Sequence, residues 1–326
     1  MDTVDIKALN ERIQQESSFV DMINMEMNKV IVGQKHLVEG LLIGMLSNGH
    51  ILLEGVPGLA KTLAINTLAT TIDAKFSRIQ FTPDLLPADV IGTMIYSQKR
   101  EEFVVKQGPI FANFILADEI NRTSPKTQAS LLEVMEEYQV TVDGITHALP
   151  QPFIVLATQN PGEFVGTYPL PEAQMDRFFL RISIGYPSVE QEMDVLERYS
   201  GQVKPMETLE PVCSAQDIIL LQQMVTTIYC APEVRAYVAQ LVAATRQDPA
   251  LQLGASTRAA IALIHGAQAC ALLDGRDFIL PEDVQHMVLP VLSHRLLPNP
   301  EARMKGITAE QVLMNILQNV AVPLKL

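Results

Sequence analysis

Apolar residues along the first half of the chain follow two alternating kinds of spacing. Over residues 6–29, Ile6, Leu9, Ile13, Val20, Ile23 and Met27 recur at a rough helical period, and Gln34–Leu46 repeats the pattern before the Asn48-Gly49 turn signal. Short apolar runs follow. His50–Glu54 reads as a short apolar strand running into a glycine-rich loop, and Phe114–Ala117 and Phe153–Ala157 are bounded by polar turns, as buried strands of a parallel sheet should be. Phe76–Phe81 alternates instead, which suits a strand nearer the sheet edge. Helical patterns separate these runs, Lys61–Ala69 among them, and predict an α/β unit with crossover connections. Two hairpins interrupt it. One joins Thr93–Tyr96 to Phe103–Val105 across the charged Lys99-Arg100-Glu101-Glu102, and the other turns at Asp143-Gly144 within Val140–Thr146.

Strand signals end near Pro187. Ser188–Tyr199, Ser214–Ile228, Pro232–Arg246, Ser256–Leu273, Pro281–Leu289 and Thr308–Val320 read as successive helices, several opened by a Ser or Pro start signal. Gly201–Pro211, with two prolines and a glycine, has linker composition. The expected organisation is an α/β core with an N-terminal helix over residues 1–200 and a smaller all-α domain over residues 201–326.

Composition narrows the class. Of 326 residues, 48% are hydrophobic and 19% charged, which marks a folded chain and not a disordered one. The formal charge of −13 argues against a general nucleic-acid surface, because phosphate neutralisation needs clustered Lys and Arg. No apolar run is long enough to span a bilayer, and Met1–Asp5 lacks the basic start of a signal peptide, so a cytoplasmic protein is expected. Cys213, Cys230 and Cys270 are scattered, and the six histidines have no metal-ligand spacing.

The chemistry concentrates at strand ends. Gly55-Val56-Pro57-Gly58-Leu59-Ala60-Lys61-Thr62 lies between a strand and a helix, the context of a phosphate-binding loop. Its glycines permit a path whose N–H groups face phosphate oxygens, and the helix N-terminus adds positive potential. Lys61 would neutralise β- and γ-phosphates, and the Thr62 hydroxyl would hold Mg²⁺. The sixth position, Ala60, departs from the usual glycine. Asp118-Glu119 close the strand Phe114–Ala117. In a parallel sheet that end faces the ligand, so Asp118 would hold Mg²⁺ through water and Glu119 would polarise the attacking water. Asn160, after the third strand, could hold that water or merely begin the Asn-Pro turn, and the two roles are compatible.

These segments together resemble the AAA+ ATPases, and within them the MoxR family. The resemblance rests on the loop with its Ala60, on Asp118–Arg122, Ala157–Pro161 and Asp176–Phe178, and on Gln80–Pro87, Gly166–Gln174 and Gly254–Ala259. It implies an AAA+ P-loop core with a parallel sheet and inserted hairpins, followed by an all-α lid. By the same resemblance Asp118-Glu119 match the Walker B acids, Asn160 sensor 1, Arg177 the arginine finger and Arg258 sensor 2. Arg181 is the alternative finger, and Arg258 could serve its own nucleotide or a neighbour's. Val32-Gly33-Gln34 match the segment that contacts adenine. The implied activity is ATP hydrolysis with Mg²⁺ in a ring of copies, a hexamer by family habit. Such a ring would remodel or mature partner proteins together with von Willebrand factor A domain proteins. A metal-chelatase-like motor subunit, a nucleic-acid-dependent motor and a nucleotide-gated scaffold are the competing expectations.

Overall fold

The computed structural model describes residues 18–55, 59–99, 101–159, 166–201 and 205–323. Helix α1 runs over residues 18–30 and α2 over Lys35–Leu46, followed by β1 (Ile51–Gly55) and α3 (Lys61–Thr71). The expected start of the first helix, residues 6–17, lies outside the described residues. Strand β2 (Phe76–Gln80) and a five-residue helix α4 (Pro87–Ile91) lead into the hairpin β3 (Gly92–Ser97) and β4 (Glu102–Gln107). Then come β5 (Phe114–Asp118), α5 (Pro125–Glu137) and a second hairpin, β6 (Gln139–Val142) with β7 (Ile145–Ala148). The remaining elements of the first half are β8 (Ile154–Gln159), α6 (Glu172–Met175), β9 (Leu180–Ile184) and α7 (Val189–Tyr199).

Five strands form one parallel sheet in the order β2-β5-β8-β1-β9. Because successive side chains point to opposite faces, each apolar strand serves two cores. Leu52, Ile115, Ala117, Val155 and Ala157 face one, packed with Leu131, Leu132 and Met135 of α5. Ile51, Leu53, Phe114, Leu116, Ile154 and Leu156 face the other, which holds α1, α2 and α3 and continues into the C-terminal helices. All the central strands therefore direct their C-terminal ends to the same side of the molecule. That side carries Gly55, Asp118 and Gln159.

The C-terminal helices are α8 (Ala215–Val225), α9 (Pro232–Gln247), α10 (Thr257–Leu273), α11 (Pro281–Leu292), α12 (Pro300–Met304) and α13 (Ala309–Asn319). Their start points follow from side-chain caps. The hydroxyls of Ser214, Ser256 and Thr308 accept hydrogen bonds from the backbone N–H groups of Asp217, Ala259 and Gln311. Among the described residues this part is mainly helical, with one minimal ribbon, β10 (Leu251–Leu253) with β11 (Leu297–Pro298), and a single bridge between Tyr229 and Phe278. Two- and three-residue strands carry no periodic signal, which is why sequence patterning alone leaves them out.

Candidate functional site

At the end of β1, a Cβ on Gly55 would sit 2.6 Å from the carbonyl oxygen of Ile184, its register partner on β9. Only glycine fits that close approach. Ala60, the residue before α3, adopts φ 56 and ψ 18, in the left-handed region. A glycine would enter this conformation freely, whereas an L-residue loses about 1–2 kcal/mol there. The departure from the usual pattern thus keeps the backbone shape and changes its energy. Val56, Pro57 and Gly58 lie outside the described residues, and so does Asn160. Lys61 Nζ donates to the Gly55 carbonyl at 2.6 Å. Burial pulls its ammonium below the usual lysine range, and Asp118, Glu119 and Glu54 push it back up.

Asp118 and Glu119 share with Lys61, Thr62, Arg78 and Gln159 a cleft of roughly 430 Å³. Thr158 organises the two acids. Its Oγ1 donates to Asp118 Oδ1 at 2.6 Å and accepts from the Glu119 backbone N–H at 2.8 Å. That second bond pins a strained residue, since Glu119 has φ 57 without being glycine. Glu119 Oε2 accepts from Gln80 Nε2 and from Arg122 Nη1, both at 2.9 Å. On the Asp118 side, Oδ2 accepts from Arg78 Nη2 at 2.6 Å and from Nε at 3.2 Å. The Thr62 hydroxyl and the Asp118 carboxylate are hard oxygen donors on one cleft, a set that suits Mg²⁺. Among the described residues no three His, Cys, Asp or Glu side chains gather into a metal site, so a divalent ion here would need further oxygens from a nucleotide.

Arg177 and Arg258 meet elsewhere. They line a second cleft of about 300 Å³ with Gly49, His50, Met135 and Glu136, beside the N-terminal end of β1. One carboxylate holds both: Glu136 Oε2 lies 3.0 Å from Arg177 Nη2, and Oε1 lies 2.9 Å from Arg258 Nη2. The side chains are 31% and 52% exposed, so each pair contributes little, up to about 1 kcal/mol, and a stronger anion could take the guanidiniums over. The backbone beneath them is held by Arg295. Arg295 is buried and donates to the carbonyls of Phe178 (2.7 Å), Phe179 (3.2 Å) and Val291 (2.6 Å). Its Nε lies 3.0 Å from Asp176 Oδ1 but off the line of an N–H···O bond, so that contact is one of charge. Burial lowers the Arg295 pKa to about 10, with Asp176 opposing the shift. Asp176 also accepts from Ser256 Oγ at 3.1 Å, which ties the turn carrying Arg177 to the start of the helix carrying Arg258.

Arg181 is separated from this pair. It stands on β9 between Glu54, at 3.4 Å, and Glu310 at the start of α13. Val32, Gly33 and Gln34 do not line the cleft that holds Asp118 and Glu119. They dock against the chain just past β9, where Gln191 Nε2 donates to the Gly33 carbonyl at 3.2 Å and Gln34 Nε2 to the Gly185 carbonyl at 3.4 Å. Sequence reasoning missed Arg78, Gln80 and Thr158 in the first cleft. Glu136, on α5, also stands outside the motif segments. The alternation of Phe76–Phe81 puts Arg78 and Gln80 on one face of β2, but nothing in one sequence tells that face from a solvated one.

Comparison with known proteins gives a consistent picture. A family profile described as ATPase family associated with various cellular activities (AAA) matches residues 50–180, and an AAA lid domain profile matches residues 243–316. The Bacillus subtilis protein YeaC is 50% identical over 91% of this chain and 93% of its own. Chaperone MoxR1 of Mycobacterium tuberculosis is 45% identical over 96% of this chain and 85% of its own. A crystal structure of a candidate ATPase from Cytophaga hutchinsonii superposes with a TM-score of 0.92 at 44% identity, covering 98% of this chain and 99% of that one.

Proposed function

This chain belongs to the MoxR family of AAA+ ATPases, which are chaperone-like, and we propose from that premise that it hydrolyses ATP in a ring of its own copies. In this reading the loop Gly55–Thr62 wraps the phosphates, with Lys61 opposite the β- and γ-phosphoryl groups and Val32–Gln34 beside the adenine. Mg²⁺, held through Thr62 and Asp118, would neutralise charge on the phosphate oxygens. Glu119 polarises the attacking water, and Asn160 helps to hold it. Arg177 and Arg258 complete the site of the neighbouring copy, where they stabilise negative charge building on the γ-phosphate.

One observation carries this reading. The acids and Lys61 line one cleft, the two arginines line another, and β1 lies between them. From His50 to Gly55 the chain advances about 17 Å at 3.3 Å per residue, too far for an arginine to serve the phosphates of its own loop. Arg181, enclosed by Glu54 and Glu310 of its own chain, is the weaker choice for the finger.

Ring turnover would drive rearrangement of partner proteins, and by family likeness the partners include von Willebrand factor A domain proteins. The decisive experiment is Glu119→Gln. It should retain ATP binding, lose turnover by at least about a hundredfold, and sediment as a stable ring that captures its partner under ATP. Unchanged turnover in that variant would remove Glu119 from its assigned role.

A further inference from the structure

Arg78 is the cation closest to Asp118, and the roles above leave it unused. It stands on β2 at the sheet edge, with its side chain half exposed. Two of its nitrogens hold Asp118 Oδ2, and Nη2 also donates to Gln80 Oε1 at 2.9 Å. Thr158 holds the other carboxylate oxygen. Both oxygens of the acid that a divalent ion would need are therefore already engaged, one of them by a full positive charge. Gln80 meanwhile reaches Glu119 with its amide nitrogen, so one strand edge grips both acids.

Electrostatics gives this arrangement a consequence. A polyphosphate entering the cleft meets two adjacent carboxylates; Arg122 already pairs with Glu119, and Arg78 is the side chain that pairs with Asp118. Arg78 cancels the charge of Asp118 whenever no metal does.

We propose that Arg78 is a built-in counter-cation for Asp118, which lets the cleft accept metal-free nucleoside triphosphate and gives the carboxylate up when a divalent ion arrives. The proposal rests on the nucleotide reading above. Arg78 is thus a positioning residue that sets how strongly nucleotide binding depends on metal, separate from any part in bond breaking.

The test is equilibrium binding of a fluorescent, non-hydrolysable ATP analogue to the full chain, with excess Mg²⁺ and again with EDTA. The readout is the ratio of the two dissociation constants. In Arg78→Gln, metal-free binding should weaken by roughly tenfold, the scale of one charge contact in a half-exposed, salt-screened cleft. Binding with Mg²⁺ should stay the same or tighten, so the ratio rises. Arg78→Lys, which keeps the charge, should hold the ratio near that of the unaltered protein. A ratio unchanged in Arg78→Gln, or a loss equal in both conditions, overturns the proposal. No binding by the unaltered protein with EDTA alone also overturns the proposal, whereas no binding in both conditions overturns the nucleotide reading on which it rests. Thermal melts of both variants verify folding, which a half-exposed edge position should spare.

Discussion

If each active site is shared between neighbours, two inactive variants should rescue one another. Lys61→Ala removes the loop's cation from the phosphate-side cleft and leaves Arg177 intact, while Arg177→Ala does the reverse. The two clefts are separated by the length of β1, about 17 Å, so neither substitution should disturb the other side. Each variant alone should turn over at least about a thousandfold more slowly than the unaltered chain, the usual cost of losing such an arginine. In a ring assembled at random from equal amounts of both, every interface draws one of four combinations. Only the combination that joins an intact Lys61 to an intact Arg177 is competent. Mixing should therefore restore roughly a quarter of the original rate, whatever the number of subunits, because a heterologous ring repeats one interface. Phosphate release measured after subunit exchange, with exchange followed by energy transfer between labelled copies, gives the answer. Mixtures that exchange fully yet stay at the level of their parents would refute the shared site. Full activity of Arg177→Ala alone would refute the finger.

Two further outcomes concern stability. His50 is buried, with Nδ1 accepting from the Val155 N–H at 3.0 Å and Nε2 2.9 Å from the Met135 carbonyl, and burial lowers its pKa from 6.5 to about 4. The unfolded chain thus binds more protons between those values, so stability is full above pH 6.5 and falls by up to about 3 kcal/mol as pH drops to 4. Buried His294, its pKa also lowered by burial, acts in the same direction. Urea unfolding of His50→Gln should show a flatter acid limb than the unaltered protein, and parallel limbs would contradict the assignment. Asp176→Asn leaves the buried Arg295 charge without its carboxylate, and should destabilise the fold by about 3 kcal/mol. A loss below about 1 kcal/mol in the same assay would show that the carbonyls around Arg295 suffice.

How much of this was legible beforehand depended on burial. Strands β1, β5 and β8 are apolar on both faces and could be read as runs. Edge strand β2 gave itself away by alternation. The opposite edge, β9, has the same alternation in Leu180, Ile182 and Ile184, but over only five residues directly after the Asp176–Phe178 motif, and no strand is predicted there from the sequence. Strand ends located Asp118 and Glu119 correctly relative to Lys61, since a parallel sheet leaves no other side for them. The pairing of Arg177 with Arg258 through Glu136 was not legible. It depends on where the C-terminal helices dock, and that is set by buried contacts such as Arg295 with the Phe178 carbonyl, far apart in sequence. Arg78 was hidden for a similar reason, because only the register of β2 against β5 brings it to Asp118.

The left-handed Ala60 also bears on how the phosphate loop meets its ligand. A glycine there would relieve the folded chain but would leave the junction free to sample many shapes before and after binding. Alanine narrows that choice. Its methyl group makes most alternatives unfavourable, so once the rest of the fold has forced the left-handed turn, the start of α3 is fixed in direction. The conformational cost then falls on folding instead of on nucleotide capture, and the helix N-terminus is aimed before any phosphate arrives.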